Sequence, residues 1–580
     1  MSDARRRTQR TEKPVVDKVG RRRRIWLIIT LVVIALLLAV CWVGLRAITV
    51  KDGLTKAQDL VSEIQAGGDL DMDVVLPELS ESAASASAAA SDPVWWVMEW
   101  VPVVGDNLRG VRLAAQSLDA LVNGVALPVM GGEDTTTSVT QRLLTATEAE
   151  ADRITSLAEG LDAVSDSPFL IGVVRGGVEQ VDEVMSAAAP AISMLPTLLG
   201  ADGERNYLLV FQNNAESLAL GGSAAAQTLV RVDQGAISMA EQGNSGSYQN
   251  GVAVDVDVPD SAIELFTSYL VDHINTSMSR PDFPTAAQIV RAWWQRDIAP
   301  DEIAGVISID PIALSRILVA TGPIDLTTGD QLTADNAVTL LLSEVYGRWD
   351  SYKEPDLVDG FFADVAAAVF DKIATGDFDI KDMLWAISES ASQGSVLVWS
   401  DDAAVADAID GARVSGILPT DNKNVTAMGV YFNNTNGSKI DYFTETKTTA
   451  TAVCEGDTAT FTATGSLTLP LTQRQTEALP RYVQSMTFGA RFRDWIYVYG
   501  PPGTTVADAS FNGDEVSVMH SGVDDLGRPV VAFEAWFDPQ DTVEVSATFV
   551  GPSGDYGPLK VLTNPMVNGA KPAVTDGCGG

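Results

Sequence analysis

The chain is poor in the side chains on which most enzyme sites are built. Its 580 residues include two histidines and three cysteines. These are too few and too widely spaced for a Cys-x-x-Cys pair, a His-Glu-x-x-His helix or a full set of zinc ligands. The phosphate-binding motif GxxxxGKS/T, the dinucleotide motif GxGxxG and the nucleophile motif GxSxG are also missing. The sequence therefore assigns no catalytic residue and no metal site.

Basic residues are scarce relative to acidic ones. Lysine and arginine total 39 against 77 for aspartate and glutamate, so the formal net charge is -38. This balance argues against nucleic acid as a partner. An acidic surface attracts cations or basic partners, or it serves solubility alone, and the sequence leaves both open. At this length, with 46% hydrophobic residues, we expect several domains with their own cores.

The first 45 residues predict a membrane anchor. Residues 1–24 hold ten basic residues against three acidic ones, and residues 25–45 are apolar and uncharged. About 20 such residues cross a bilayer as a helix, and Trp26 and Trp42 suit its two interfaces with water. By the positive-inside rule the basic tail is cytoplasmic and everything after Arg46 is extracytoplasmic. A cleaved signal peptide is the alternative, although the apolar run is longer than a usual signal core.

The remaining chain divides into three parts by its residue patterns. Residues 46–200 carry apolar residues at helical spacing, which predicts a helical stalk. Residues 201–415 contain buried-strand segments followed by capped helices, which predicts an α/β domain. Residues 416–580 hold short segments rich in valine, threonine and aromatics between turn motifs, which predicts a β-sandwich. The predicted fold class is thus α+β and multidomain, with one transmembrane helix.

The stalk contains a group of tryptophans, Trp95, Trp96 and Trp100, within residues 92–104. We expect a buried aromatic cluster. The alternative is that this group dips into the membrane interface close to the anchor.

Cysteine usage agrees with export. Cys41 lies inside the apolar run, which leaves Cys454 and Cys578 as a candidate disulfide in an oxidising compartment. This bond would tie the C-terminal tail to its domain. Whether the geometry permits it cannot be decided from sequence.

Three polar residues follow the first predicted strand of the α/β part, residues 207–211. Ligands collect at the carboxyl ends of strands in α/β sheets, so Asn213, Asn214 and Glu216 are candidate ligand-binding residues. The alternative is structural: the asparagines cap and turn the chain, and the pair Gly221-Gly222 supplies a special backbone conformation.

Arg280, Asp282 and Asp310 complete the candidate ligand-binding set. For Arg280 and Asp282 the alternative is a local ion pair in a loop bracketed by prolines. For Asp310 it is the N-cap of a helix that starts at Pro311.

Several motifs of this central part resemble one bacterial family. The first motif, NYLLVFQNNAE, covers residues 206–216 and precedes Gly221-Gly222. Later stretches agree in order with the same family; they are residues 280–287, 305–310, 321–323 and 332–336. The family is domain of unknown function 4012, and the resemblance extends over most of the chain from about residue 50 to 575.

The resemblance implies a single-pass envelope protein of the kind common in actinobacteria and associated with surface polysaccharide of the cell wall. It implies no established activity. This chain departs from the family at two positions, since Leu218 and Ser223 stand where many members have arginine and phenylalanine. An anion site built on that arginine is therefore in doubt here.

The order of strands and helices from 200 to 380 is also faintly similar to the LytR-CpsA-Psr phosphotransferases. That resemblance implies a pyrophosphate held by arginines and by a magnesium ion on carboxylates. The carboxylates would be Asp282, Glu216 and Asp310. The available cations in the matching region are Arg280, Arg291, Arg296, Arg316 and Arg348.

We therefore predict a membrane-anchored extracytoplasmic protein that binds or organises surface glycan or a partner protein, with the lipid bilayer as a further partner and no cofactor. The alternative is a Mg²⁺-dependent glycan phosphotransferase acting on polyprenyl-pyrophosphate-linked substrate. The transferase requires arginines that line one apolar groove, whereas a scaffold leaves them scattered and paired.

Overall fold

The computed structural model describes residues 42–60, 72–130, 137–485, 487–515 and 518–578. The predicted basic tail and all but the last four residues of the predicted span 25–45 lie outside the described residues. The chain packs into two compact units. The first comprises residues up to 133 together with 146–193, and the second comprises 134–145 together with 194–580.

The described residues of the first unit are mostly helical. Its helices, including two that extend into the sequence of the second unit, are α1 (described over 42–60), α2 (Met72–Ala90), α3 (Pro93–Met98), α4 (Val104–Asp119), α5 (Leu127–Met130), α6 (Val139–Ser165) and α7 (Gly172–Leu198). A π-helical segment, Ala120–Ala126, joins α4 to α5. The core of the first unit includes Leu113, Ile154, Leu161 and Val178, which accounts for the helical spacing of apolar residues.

Among the described residues, one continuous helical stretch, Val104–Met130, is long and apolar enough to cross a membrane. Length and composition alone also fit the core helix of a soluble domain. Here Leu113 and Ala120 of this stretch are buried against Ile154 and Val178. We therefore assign its buried face to the packing of the first unit, and the span 25–45 stays a prediction.

The second unit is α+β, with several sheets. Its strands are β1 (Arg205–Leu218), β2 (Gly221–Asp233), β3 (Ala236–Asn244), β4 (Gly305–Ile309), β5 (Ile324–Asp325), β6 (Gln331–Leu332), β7 (Val396–Ser400), β8 (Thr426–Asn434), β9 (Glu445–Glu455), β10 (Thr458–Thr468), β11 (Phe492–Tyr499), β12 (Thr505–Phe511), β13 (Asp514–Glu515), β14 (His520–Asp525), β15 (Arg528–Phe537), β16 (Thr542–Pro552), β17 (Leu559–Leu562), β18 (Asn568–Gly569) and β19 (Ala573–Gly577). Its helices are α8 (Asp260–Phe266), α9 (Tyr269–Asp272), α10 (Phe283–Asp297), α11 (Pro311–Thr321), α12 (Ala337–Thr339), α13 (Val345–Arg348), α14 (Pro355–Thr375), α15 (Ile380–Gln393), α16 (Ala403–Ala408) and α17 (Gln473–Glu477).

The strands form three layers. The first sheet has the order β3-β2-β1-β4-β7, in which β1 and β4 are parallel and the other pairs antiparallel. The second, β14-β15-β11-β8-β17, lies between the first sheet and the third, whose path is β13-β12-β16-β10-β9-β18 with β19 also on β9. Tyr431 and Tyr497 of the second sheet share a core with the first sheet, whereas Val430 and Ile496 share one with the third. The second sheet is thus buried on both faces.

Cys454 and Cys578 form a disulfide, with their Cα atoms 5.1 Å apart. Cys454 lies on β9, and β19, which ends just before Cys578, pairs in parallel with the same strand. The bond therefore holds the C-terminal tail on the edge of the third sheet.

Two expectations from the sequence are wrong. The first predicted strand, 207–211, runs on to Leu218, so Asn213, Asn214 and Glu216 lie within β1 and do not follow it. The tryptophans of the stalk do not form a buried cluster: Trp95 is 1% exposed, but Trp96 is 57% and Trp100 78% exposed. Neighbouring residues on a short helix point in different directions, and the first unit covers only one side of α3.

Candidate functional site

The candidate site lies within the second unit, where the last part of β1 leaves the first sheet and meets β8. Ser217 of β1 donates from its hydroxyl to the backbone oxygen of Phe432 on β8. Asp441, in the single 3₁₀ turn Ile440–Tyr442 that follows β8, accepts hydrogen bonds from both the amide and the hydroxyl of Ser217, at 2.9 and 2.8 Å. Polar side chains therefore gather where two sheets join.

The glycine pair after β1 permits a close approach of its hairpin partner. A Cβ atom on Gly222 would lie 2.1 Å from the backbone oxygen of Asn213, and Gly221 has a positive φ of 135°. The pairing of β1 with β2 shifts register between Asn213 and Ser217, which is a bulge. The structural alternative is that Gly221-Gly222 supplies a special backbone conformation, and the geometry of this turn agrees with it.

The two asparagines bridge β1 to other elements. Asn213 donates to the hydroxyl of Tyr346 at 2.6 Å. Asn214 donates to Asp310 at 2.9 Å and to the backbone oxygen of Pro565 at 3.0 Å. Both are buried, so their amides hold together three separate stretches of the chain and face no solvent.

Asp310 caps α11, accepting from the amide of Ala313 at 2.8 Å. Burial raises the pKa of its carboxyl to about 6, although the bonds from Ala313 and Asn214 lower it. The helix-cap alternative therefore holds for Asp310, with a bond to Asn214 in addition.

Glu216 pairs with a lysine that sequence reasoning missed. Lys439 Nζ lies 2.8 Å from Glu216 Oε1, and Ser223 donates to Oε2 of the same carboxylate at 2.5 Å. The ammonium also lies 5.4 Å from the ring centre of Tyr346 and 5.5 Å from that of Tyr482. Burial lowers the pKa of Lys439, but the charge of Glu216 and the two tyrosines outweigh it, so this pKa is raised. The pair is charged and nearly dry, because the lysine side chain is 5% exposed.

Two buried acids lie beside this pair. Asp441 Oδ2 accepts from Ser217 and, at 2.9 Å, from Asn434. Burial raises the pKa of Asp441 to about 6, and burial together with repulsion from Asp441 raises the pKa of Asp494. Neither oxygen of Asp494 has a hydrogen-bond partner in the described part of the chain. Burial and mutual repulsion therefore favour a protonated carboxyl at Asp494.

We call this group the polar joint. Its members are Asn213, Asn214, Glu216, Ser217, Asp310, Tyr346, Lys439, Asp441 and Asp494. They come from β1, the residue after β4, α13, the turn after β8, and β11, and most are buried.

Arg280 and Asp282 belong to a different cluster. Arg280 binds Asp282, as the local ion-pair alternative requires, and also Asp525 at 2.9 Å. Tyr499 donates to Asp525 at 3.0 Å. Burial lowers the pKa of Arg280, but Asp525 and Asp282 outweigh it and raise this pKa. All these groups are buried, and in the described part of the chain they form no hydrogen bond or ion pair with Glu216 or Asp310. The six predicted ligand-binding residues therefore divide between two places.

The other four arginines have partners of their own. Arg291 lies over the ring of Trp399, at 4.9 Å. Arg296 pairs with Asp297 at 2.8 Å, and Arg348 pairs with Asp330 at 2.6 Å. Arg316 binds Ser390 and Gln393. Each guanidinium is held by a different part of the unit. Among the described residues none of the four forms a hydrogen bond or ion pair with Asp310 or Glu216, although the charge of Arg316 acts to lower the pKa of Asp310.

The residues missed by sequence reasoning include Ser217, Tyr346, Lys439, Asp441, Asp494 and Asp525. Each meets its partner across a long stretch of chain, and no local spacing marks it. The one sequence signal is the pair Asn433-Asn434 in front of a Gly-Ser turn, which ends β8 just before Lys439.

Most side chains of the polar joint are enclosed by protein. Over the described ranges, no group of three or more histidine, cysteine or acidic side chains is arranged to hold a metal ion. A shallow cleft of about 290 Å³ lies elsewhere, between residues 503–506 and 522–529, and contains none of the predicted ligand-binding residues. The hydrogen bonds and the ion pair of the joint connect β1 of the first sheet to β8 and the turn that follows it.

Residues 202–346 match the family model described as protein of unknown function (DUF4012). This confirms the resemblance to that family over β1 to β6 and the helices up to Tyr346. The matched segment contains the β1 side of the polar joint but not Lys439, Asp441 or Asp494. No curated protein matches the chain, and no solved structure matches it. The fainter resemblance to the LytR-CpsA-Psr phosphotransferases has no match to support it.

Proposed function

We propose that this chain is a single-pass membrane protein that displays its second unit on the extracytoplasmic side of a cell envelope. It works by binding a cell-surface partner, either a glycan or another envelope protein, and not by catalysis. The observation that carries this proposal is the state of the arginines. A phosphotransferase needs several cations converging on one groove. Here each of the five is occupied by its own carboxylate, ring or amide.

The net charge bears on the choice of partner. A body with a strong excess of carboxylates repels an anionic polymer unless cations bridge the two. The net charge of -38 therefore favours a neutral glycan or a protein with a basic surface.

The disulfide supports the extracytoplasmic location. Disulfides persist in oxidising compartments and are reduced in the cytoplasm. Because Cys454 and Cys578 are close enough to bond, their redox state in cells reports the compartment of the second unit.

The test uses the full chain with Cys41→Ser, so that only these two thiols remain. Membranes are treated with a maleimide polymer before and after reduction, and mobility is read on a denaturing gel. We expect no addition before reduction and two additions after it. The matched control, Cys578→Ser, leaves one thiol that reacts without reduction. Two additions to unreduced protein would contradict the proposed location.

Catalysis by the alternative mechanism is not favoured and can be tested separately. Thermal unfolding of the purified chain is followed with Mg²⁺ and a polyprenyl pyrophosphate, together and singly. A binding protein without that activity shows the same melting temperature in all conditions. A rise that requires both additions would overturn the non-catalytic proposal.

A further inference from the structure

The first unit exposes a compact group of large apolar side chains. They come from two segments, α3 with the turn that follows it and the turn between α6 and α7. We call this group the apolar tip; its members are Trp96, Val97, Trp100, Val103, Phe169 and Ile171. Trp96 and Trp100 meet edge to face, with ring centres 6.4 Å apart. Monomeric soluble domains rarely expose contiguous apolar groups of this kind without a use for them.

One asparagine fastens the two segments together. Asn107 donates to the backbone oxygens of Val103 and Phe169, both at 2.9 Å, and accepts from the amide of Ile171 at 2.9 Å. Ser167 adds a bond to Asp106 at 2.6 Å. The side chains of the apolar tip are therefore presented by an ordered hydrogen-bonded frame.

The frame holds the apolar side chains outward. Trp95 is buried and donates from its indole nitrogen to the backbone oxygen of Leu108 at 3.0 Å, which fixes the rotation of α3. Arg112 clamps Glu99 with two bonds, at 2.6 and 2.9 Å. Val103 has a φ of 71°, a left-handed conformation that a β-branched residue rarely adopts. Strain of this sort persists where the surrounding structure fixes it, and it collects at functional surfaces.

The apolar tip begins where the predicted anchor ends. The uncharged run 25–45 finishes one residue before Arg46, and Arg46 Nη2 lies 3.5 Å from Asp92 Oδ2. Asp92 is the N-cap of α3, accepting from Val94 at 2.9 Å. Val43 and Trp95 share one core, so the end of the apolar run is packed against the helix that carries Trp96. At the predicted exit of the anchor from the lipid hydrocarbon, α3 therefore packs directly against the end of the anchor.

The charges around the apolar tip also suit a lipid surface. Carboxylates are numerous in this chain, and free ones would be repelled by anionic head groups. Near the tip, Asp92 is paired with Arg46, Glu99 with Arg112, and Asp106 accepts from Ser167. Asp166, in the same turn as Phe169, is exposed, which favours a bilayer surface without strong negative charge. Tryptophan is the side chain most typical of the interface between lipid and water.

We propose that the apolar tip inserts into the outer interface of the same bilayer that holds residues 25–45. The bilayer is its occupant, because the anchor fixes the tip at that level whenever the chain is membrane-bound. The contact gives the first unit a second attachment and limits its rotation about the anchor. This inference rests on the membrane anchorage included in the proposed function.

The test measures the depth of a probe on the full chain in phosphatidylcholine nanodiscs that contain doxyl-labelled lipid. The background is Cys41→Ser, with an environment-sensitive fluorophore on Val97→Cys. The matched control is Val184→Cys, a valine of similar exposure, 52% against 60%, that lies twelve residues after Gly172 on α7. That position is roughly 18 Å along the helix from the tip. Phe169→Cys repeats the measurement on the second segment.

We expect the doxyl lipid to quench the probes at 97 and 169 by about twofold or more and iodide to leave them unquenched. The probe at 184 should show the reverse. Probes at 97 and 169 that iodide quenches and doxyl lipid does not would overturn the proposal. Shielding from both quenchers would also overturn it, because a protein partner or a second copy would then cover the tip.

Incorporation into the nanodisc separates this inference from the anchorage on which it rests. A chain that fails to co-elute with the discs contradicts the anchor itself. A chain that co-elutes, with unquenched probes at 97 and 169, contradicts only the insertion of the apolar tip. Unchanged thermal unfolding of the labelled variants shows that the fold is intact.

Discussion

The polar joint of the second unit and the apolar tip of the first are opposites. In the joint, charged and amide side chains are enclosed and satisfy one another, as Lys439 and Glu216 do at 2.8 Å. In the tip, tryptophan and valine side chains face outward while a buried neighbour, Trp95, fixes them. From residue type alone, one would expect the charged and amide side chains to be exposed and the tryptophans to be buried. The difference shows that a polar side chain can be buried when the fold supplies its hydrogen-bond or charge partners. It also shows that large apolar side chains can be held at the surface by a buried neighbour.

The largest effect expected from this contrast concerns the buried ion pair. Lys439→Met removes the ammonium and leaves Glu216 charged in a nearly dry site, which should destabilise the second unit by about 3–5 kcal/mol. The measurement is denaturant unfolding followed by the fluorescence of the full chain. Lys353→Met is the matched control, because that lysine pairs with Asp350 in solvent. Equal stability of the two variants would mean that the polar joint contributes nothing to the fold.

A second comparison separates a buried tryptophan of α3 from an exposed one in the turn that follows it. Trp95→Phe replaces a buried indole by a smaller ring and removes the N–H that donates to the backbone oxygen of Leu108, so we expect a loss of roughly 2 kcal/mol. Trp100→Phe should change the free energy of unfolding by less than about 0.5 kcal/mol, since surface changes rarely do more. Thermal unfolding of the detergent-solubilised chain measures both. A large loss with Trp100→Phe would show that this ring packs against protein.

The smallest expected effect is a pH dependence of stability. Burial raises the pKa of Asp494 above that of an exposed carboxyl, with Asp441 adding to the shift. A raised folded pKa means that the folded state holds a proton that the unfolded state has released. The stabilisation is therefore complete below about pH 4, the range of a free carboxyl, and is lost as pH rises through the folded pKa.

Asp494→Asn should remove this dependence. The amide resembles the protonated acid, so between about pH 5 and pH 8 the unfolding free energy should fall less steeply than in the parent, by about 1 kcal/mol over that interval. Asp508→Asn, on the exposed strand β12, controls for the loss of one carboxylate. Parallel pH profiles of Asp494→Asn and the parent would contradict a raised pKa of Asp494 in the folded state.

Local patterns were enough to predict much of the fold. The turn at Gln234-Gly235 separates β2 from β3, and Asp310-Pro311 starts α11, both as the sequence indicates. The alternating strands β9 and β10 and the Gly456 turn between them are likewise visible in the sequence. In each case the signal and the structure lie within a few residues of each other.

The elements that were missed depend on distant packing. β8 is buried along its whole length because the second sheet has a core on both faces, so it shows no alternation to recognise. β12 and β19 have mostly exposed side chains and acquire strand structure from their neighbours. The polar joint follows the same rule, since Glu216 and Lys439 meet only when the first sheet and the sandwich are assembled.

The most direct test of the account determines on which side of the membrane the second unit lies. In intact cells that produce the full chain with Cys41→Ser, a membrane-impermeant maleimide is applied to Leu384→Cys, an exposed position on α15. Lys13→Cys, in the predicted cytoplasmic tail, is the opposite control. The account predicts that position 384 is labelled in intact cells and position 13 only after permeabilisation. Labelling of position 384 only after permeabilisation would contradict it.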